Sequence, residues 1–217
     1  MTNPQLRSTD RVRPRKSPTA PRLAKDAPVL FFKSFLERPK EVGSIIPSSR
    51  FLERRVLRSA RLDRARVVVE LGPGTGGTTE ALLRALRPDA TLLAIEINPR
   101  LAERVRARIP DPRLIVHCGS AEDITGALAA HGLDAPDAVI SGIPFSTMPR
   151  QVAMGILRSI KSCLAPTGCF VAYQVRDRVA VLAREVFGRR PSNVQLEVRN
   201  VPPMRVYRFE GGGVGSA

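Results

Sequence analysis

The chain has 217 residues, 43% of them hydrophobic, which suffices for one substantial core but not for a second full domain beside it. Thirty-five Lys and Arg against twenty Asp and Glu leave a net charge of +15, so phosphate-rich partners are favoured, with nucleic acid and anionic lipid both candidates. Cys118, Cys163 and Cys169 form an odd set without metal-ligand spacing, which argues against a disulfide framework or a zinc site, and no apolar run reaches the ~20 residues a bilayer span needs.

Residues 1–27 are rich in Pro, Arg, Lys and Ser without apolar periodicity, the composition of a disordered basic arm. Arg and Pro stand where a signal peptide would carry its apolar region, so the expected location is the cytoplasm, with contact to the membrane from that side. Ten Lys or Arg and three acids occupy residues 1–40, and Phe31, Phe32, Phe35 and Leu36 lie among them. A helix over Val29–Arg38 gathers these apolar residues on one face, Lys33 and Arg38 can snorkel from it, and Pro39 ends it. A second helix is expected from Pro47 to Ala60, with Ser48 and Ser49 near its start and Phe51, Leu52, Val56 and Leu57 as its buried stripe.

From Arg66 the pattern becomes strands alternating with helices. Strands are expected at Val67–Leu71, Thr91–Ile97, Arg113–His117, Ala138–Ile143 and Cys169–Val175. Helices are expected at Thr78–Leu86, Arg100–Ile109, Glu122–Ala130, Gln151–Leu164 and Asp177–Phe187. Two closing strands, Val194–Val198 and Arg205–Phe209, meet around Pro202-Pro203, and the glycine-rich tail frays. The expected fold is α/β: a Rossmann-like, seven-stranded, mostly parallel sheet with helices on both faces and an N-terminal helical extension.

Glu70-Leu71-Gly72-Pro73-Gly74-Thr75-Gly76-Gly77 follows a buried strand and opens a helix, where glycines let a ligand approach the backbone. Glu96 ends the next strand, where a ribose-binding acid belongs in nucleotide folds. The loop departs from the dinucleotide and phosphate-loop patterns, and an acid at Glu70 repels a pyrophosphate but suits an amino group. The alternative is a strand-end acid beside a tight turn. The loop resembles the glycine motif of class I methyltransferases, which implies S-adenosylmethionine as cofactor. Gly43 and Ser44, ahead of the fold, and Gly72, Gly74, Thr75, Gly76 and Ile97 join Glu70 and Glu96 as expected cofactor contacts. In that family an adenine-contacting segment follows the third strand, and Gly119-Ser120-Ala121-Glu122-Asp123 stands there. Ser120, Ala121 and Glu122 are therefore cofactor candidates, with helix capping as the competing role for Ser120 and Glu122.

Ser141-Gly142-Ile143-Pro144-Phe145 ends the fourth strand at the carboxyl edge, where open parallel sheets bind ligands. It resembles the Asn/Asp-Pro-Pro-aromatic and Asn-Leu-Pro-Tyr motifs of amine methyltransferases, with Ser141 in place of Asn or Asp. The resemblance implies that oxygens of this segment, Ser141 included, accept hydrogen bonds from the amine while Phe145 packs beside it. The alternative is a strand-to-helix turn whose Pro144 and Phe145 only pack. Gly43–Ser49, Phe35–Lys40 and Asn200–Tyr207 further resemble segments of the bacterial phospholipid N-methyltransferases, a family that includes phosphatidylethanolamine and ornithine-lipid enzymes and is related to ribosomal RNA adenine dimethyltransferases. The RNA enzymes usually carry an additional helical domain, for which few residues follow the last expected strand here.

The resemblance divides the chain into a basic arm (1–27), N-terminal helices facing membrane or substrate and covering the cofactor (28–62), a cofactor-binding domain (63–210) and a flexible tail (211–217). It implies methyl transfer to the amine headgroup of a membrane lipid, phosphatidylethanolamine first, on the cytoplasmic face of an anionic membrane. RNA adenine methylation and a non-catalytic basic binding module are the alternatives. Phe31, Phe32, Lys33 and Phe35 are expected at the membrane, and Tyr173, Arg205 and Tyr207 at the substrate, with a core role for the two tyrosines as the competing reading. His117 and His131 read as ordinary strand-end and loop residues. No metal and no obligate protein partner is expected.

Overall fold

The computed structural model describes residues 48–212, so the basic arm, the helix expected at Val29–Arg38, and Phe31, Phe32, Lys33, Phe35, Gly43 and Ser44 lie outside the described residues. Helix α1 (Arg50–Ala60) begins after Ser48 and Ser49, because the Ser49 hydroxyl accepts a hydrogen bond from the Leu52 amide at 3.3 Å and caps the first turn. Its buried residues are Leu52, Val56, Ser59 and Ala60. Phe51 and Leu57, expected in the same stripe, are only half-buried. The Phe51 ring lies instead under the guanidinium groups of Arg50 and Arg199, at 5.0 and 4.0 Å.

The alternation then unfolds as β1 (Val67–Leu71), α2 (Gly77–Ala85), β2 (Thr91–Glu96), α3 (Pro99–Arg108) and β3 (Leu114–Cys118). A short 3₁₀ turn at Ala121–Asp123 leads into α4 (Ile124–Ala130), followed by β4 (Ala138–Ser141), α5 (Arg150–Cys163), β5 (Cys169–Gln174) and α6 (Arg178–Phe187). The hairpin β6 (Asn193–Glu197) and β7 (Met204–Glu210) closes the fold. All five residues of β1 are buried, as a strand covered on both faces requires.

The seven strands form one sheet in the order β3-β2-β1-β4-β5-β7-β6. The first five run parallel and β7 pairs antiparallel with both β5 and β6, so the last strand enters between its predecessor and the parallel body. This is the expected Rossmann-like sheet. On one face Leu52 and Val56 of α1, Leu82 of α2 and Val105 of α3 pack against Val68, Leu92, Ile140 and Val171. On the other, Ile124 of α4, Leu157 of α5 and Leu182 of α6 pack against Val69, Leu93, Val139 and Phe170.

Helix α1 is fastened to the closing hairpin at both ends. Arg55 and Arg199 both bind the buried Glu197 carboxylate, at 2.5 and 2.9 Å. The Asn200 side chain accepts from the Ser49 amide at 3.0 Å, and the Arg208 guanidinium donates to the Ser59 carbonyl. The segment ahead of the sheet thus belongs to the same packed layer as α2 and α3.

Candidate active site

The loops after β1, β2, β3 and β4 meet at the carboxyl edge of the parallel strands. Gly72 (φ 73°) and Gly74 (φ 58°) both hold left-handed backbone, which a side chain would strain by about 1–2 kcal/mol each. At Gly72 the space is also tight: a Cβ would stand 3.3 Å from the Ile143 side chain, which would have to shift slightly. The turn points the Gly74 amide at Glu96, whose two carboxylate oxygens accept from Gly74 at 3.2 Å and from Asn98 at 3.0 Å. Gly76, also left-handed, starts α2 without a side-chain cap, and the Thr75 carbonyl accepts from Arg108 at 2.9 Å.

Glu70 lies beneath this loop, 1% exposed. One of its oxygens accepts from the Thr79 hydroxyl at 2.7 Å; the other, Oε1, is buried without a partner. Burial pushes its pKa from 4.5 up to about 7, the Thr79 hydrogen bond opposes that rise, and the negative charge of Glu96 adds to it. An acid held this way is poised to receive a cation. Burial likewise raises the pKa of Glu96, against the pull of its backbone hydrogen bonds.

A cavity opens between the strand ends and α5, with Glu96 in its lining and Glu70 buried outside it. Its floor is Gly72 and Ile95, its polar rim Glu96 and Ser120, and its apolar walls Ile97 and Ala121 on one side and Ile143, Met148, Val152 and Ile156 on the other. An acid at one end of a narrow apolar slot fits a nucleoside, with its hydroxyls on the carboxylate and its flat base between the walls. The unpartnered Glu70 oxygen and the glycine cradle fit a positively charged amino-acid portion alongside. The donor set therefore fits S-adenosylmethionine. The Ser120 hydroxyl accepts from the Glu122 amide at 3.2 Å, so capping and rim position coincide in one residue. Glu122 does not line the cavity: its carboxylate lies against Gly155 of α5.

At the end of β4, Ser141 is fully buried and its hydroxyl accepts from the Ile143 amide at 3.3 Å. The Ile143 carbonyl accepts from the buried Gln174 side chain at 2.6 Å, and Arg178 donates to the Ser146 carbonyl at 2.9 Å, fixing the loop from below. Phe145, expected beside the acceptor, is instead 0% exposed and meets Phe170 edge-on with centroids 6.5 Å apart. Its ring anchors the loop that carries Ile143 and Pro144 and presents no surface to a ligand. Tyr173 is buried beside Gly142 and Thr78. Tyr207 is 3% exposed with an unpartnered hydroxyl, while the exposed Arg205 reaches the Val175 carbonyl at 3.5 Å.

Sequence reasoning missed Met148, in the turn before α5, and Val152 and Ile156, although the spacing of four between the last two marks one face of that helix. It also missed Gln174, for which no local signal exists. His117 and His131, read as unrelated, face each other with ring nitrogens 3.3 Å apart, outside the cavity lining.

A methyltransferase domain model matches residues 68–168. The chain is 33% identical over 186 residues to an ornithine lipid N-methyltransferase of Singulisphaera acidiphila, covering 84% of this chain and 95% of that one. It is 27% identical over 196 residues to a ribosomal RNA small subunit methyltransferase A of Rhodococcus opacus, covering 85% of this chain but 60% of that one. Among solved structures, the 1,6-didemethyltoxoflavin-N1-methyltransferase of Burkholderia thailandensis, which has S-adenosylhomocysteine bound, shares the fold with a TM-score of 0.63 at 16% identity, over 89% of this chain and 93% of that one. The cofactor is S-adenosylmethionine, and the chain belongs to the family of the ornithine lipid N-methyltransferase within the class I methyltransferases.

Proposed function

We propose that this methyltransferase acts on the primary amine headgroup of a membrane aminolipid, of the kind found in phosphatidylethanolamine and ornithine lipid. The observation that carries this reading is the near-complete coverage, 95%, of a relative whose name specifies a lipid amine. The arrangement of the carboxyl edge supports it. Exposed Val175, Val198 and Val201 lie there beside exposed Arg176, Arg199 and Arg205, apolar and cationic groups that suit an anionic membrane surface. Residues 25–40, with Phe31, Phe32, Phe35 and Lys33, add a second docking element in this proposal.

In this reading Glu96 accepts hydrogen bonds from the ribose hydroxyls, Ile97, Ser120 and Ala121 hold the adenine, and Glu70 faces the cofactor's ammonium. Gly72 and Gly74 let the backbone approach the ligand, while Gly43 and Ser44 cover it. When bound, S-adenosylmethionine supplies an electrophilic methyl group on a sulfonium, transferred by in-line displacement. The protein's task is to align the amine nitrogen with that methyl and to exclude water. A lipid ammonium resembles a Lys side chain, with a pKa of about 10, and must lose a proton before it attacks. Gln174, by holding the Ile143 carbonyl, keeps the Ser141–Phe145 turn in one position opposite the glycine loop.

The test is incubation of the full chain with methyl-labelled S-adenosylmethionine and, in parallel, vesicles of phosphatidylethanolamine, vesicles of ornithine lipid, and ribosomal RNA. Label in the organic phase with either lipid supports the proposal. Label in RNA alone refutes it and selects the adenine-methylating alternative.

A further inference from the structure

Residues 118–130 leave the end of β3, supply Gly119, Ser120 and Ala121 to the cavity lining, and end with α4. Toward the sheet and α5 this excursion is tied by its backbone: the Gly119 amide donates to the Glu96 carbonyl at 3.0 Å, and the Glu122 carbonyl accepts from the Ser159 hydroxyl at 2.5 Å. Its two ends are tied to each other by side chains. His117 Nδ1, on β3, and His131 Nε2, just past α4, lie 3.3 Å apart with the rings perpendicular. A neutral imidazole carries one donor and one acceptor, so one ring can donate to the other. The same His117 ring leans on the cavity rim: a Cβ built on Gly119 would stand 2.7 Å from its Nε2 and 2.8 Å from its Cδ2. We propose that His131 and His117 are positioning residues for the cofactor's nucleoside, a proton-sensitive clasp in which His131 holds the His117 ring against Gly119 and so fixes the rim at Ser120 and Ala121. The inference rests on the placement of the nucleoside in this cavity and is independent of the acceptor.

His131 is built to hold that ring still. Its amide closes α4 on the Leu128 carbonyl at 3.2 Å, and the next two amides bond to Ala129 and Leu128 at 3.1 and 3.0 Å. His117 is half-buried and His131 exposed, so the pair exchanges protons with solvent. One added proton leaves the contact intact, as an imidazolium donating to a neutral ring. A second leaves two cations face to face with no acceptor between them, and the clasp opens. The charged and titratable groups that act on His117 are His131, Asp123 at the start of α4 and Arg106 of α3. Burial first, then His131, lowers the His117 pKa, with Asp123 opposing the shift and Arg106 adding to it. The pair is therefore closed at neutral pH and opens as pH falls below histidine's ordinary value of 6.5.

The probe is 5′-methylthioadenosine, a nucleoside without the amino-acid portion, so the ammonium that Glu70 faces plays no part. Its affinity for the full chain is measured by titration calorimetry between about pH 5 and pH 8, beside the melting temperature. His131→Ala should weaken binding by roughly three- to tenfold at pH 8, the equivalent of one neutral hydrogen bond, and should converge on the wild type toward pH 5, where the wild-type clasp is open as well. His131→Gln carries an amide at the reach of Nε2 that still bonds to His117 but takes up no proton. It should match the wild type at pH 8 and bind more tightly than the wild type toward pH 5. Titration of Glu96, whose pKa burial raises, acts on all three proteins alike and cancels in their ratios. Ratios that stay constant with pH, or a His131→Ala protein that melts earlier yet binds the nucleoside as the wild type does, overturn the inference. Ala121→Trp, which fills the cavity, should abolish binding; if it binds as the wild type does, the nucleoside lies elsewhere and its placement falls first.

Discussion

Glu70 offers a quantitative handle on the cofactor site. Its pKa of about 7 means that about half of the apo protein carries a protonated Glu70 at pH 7. A cation placed against Oε1 favours the carboxylate, so cofactor binding at pH 7 should release about half a proton per site, more at pH 6 and little at pH 8. The same shift has a stability consequence. An acid whose folded pKa is raised stabilises the fold fully below its unfolded value near 4.5, and this contribution is lost as pH rises through about 7. The 2.5-unit gap between 4.5 and about 7 corresponds to a loss on the order of 3 kcal/mol in the apo protein. Titration calorimetry in buffers of different ionisation enthalpy reads the proton count directly. Glu70→Gln should abolish the release. Binding of the wild type without proton exchange at both pH 6 and pH 7, or an unchanged count in Glu70→Gln, would refute the reasoning.

Glu96→Ala should weaken S-adenosylmethionine binding by about 1.5–3 kcal/mol, as expected for lost hydrogen bonds to a charged group, and equilibrium dialysis with labelled cofactor checks it. Phe145→Ala should lower unfolding free energy by about 3–5 kcal/mol in urea titration, because its fully buried ring packs on Phe170; an unchanged midpoint would place the ring elsewhere. The pKa of His117 is lowered, first by burial and then by His131, so the neutral ring is favoured in the fold. Its contribution should be complete above its ordinary pKa of 6.5 and be lost as pH falls toward the depressed folded value; His117→Asn should flatten that part of the stability profile.

Local chemistry made most of the fold legible. Five consecutive buried residues at Val67–Leu71 have only one stable environment, a strand covered on both faces, and the other apolar runs and their helices follow within one or two residues of expectation. The exception at the start of α1 has a local cause: the Ser49 cap, rather than Pro47, begins the helix. Contacts between strands were not legible. The opposition of Gly142 and Tyr173 depends on β4 lying beside β5 with a fixed register, and the His117–His131 pair on the packing of β3 beside the end of α4. Phe145 shows the same limit, since an aromatic after a proline at a strand end reads equally well as pocket wall or core anchor. In the structure the neighbouring Phe170, Phe187 and Phe209 rings form the cluster that claims it.

The most direct test of the acceptor is mass spectrometry of lipids from a bacterial host that makes amine-bearing lipids but no methylated ones, before and after expression of the full chain. The account predicts new species heavier by one or more methylene masses, confined to aminolipids and absent in Glu96→Ala. An unchanged lipid profile, alongside new methylation of ribosomal RNA adenine, would contradict it.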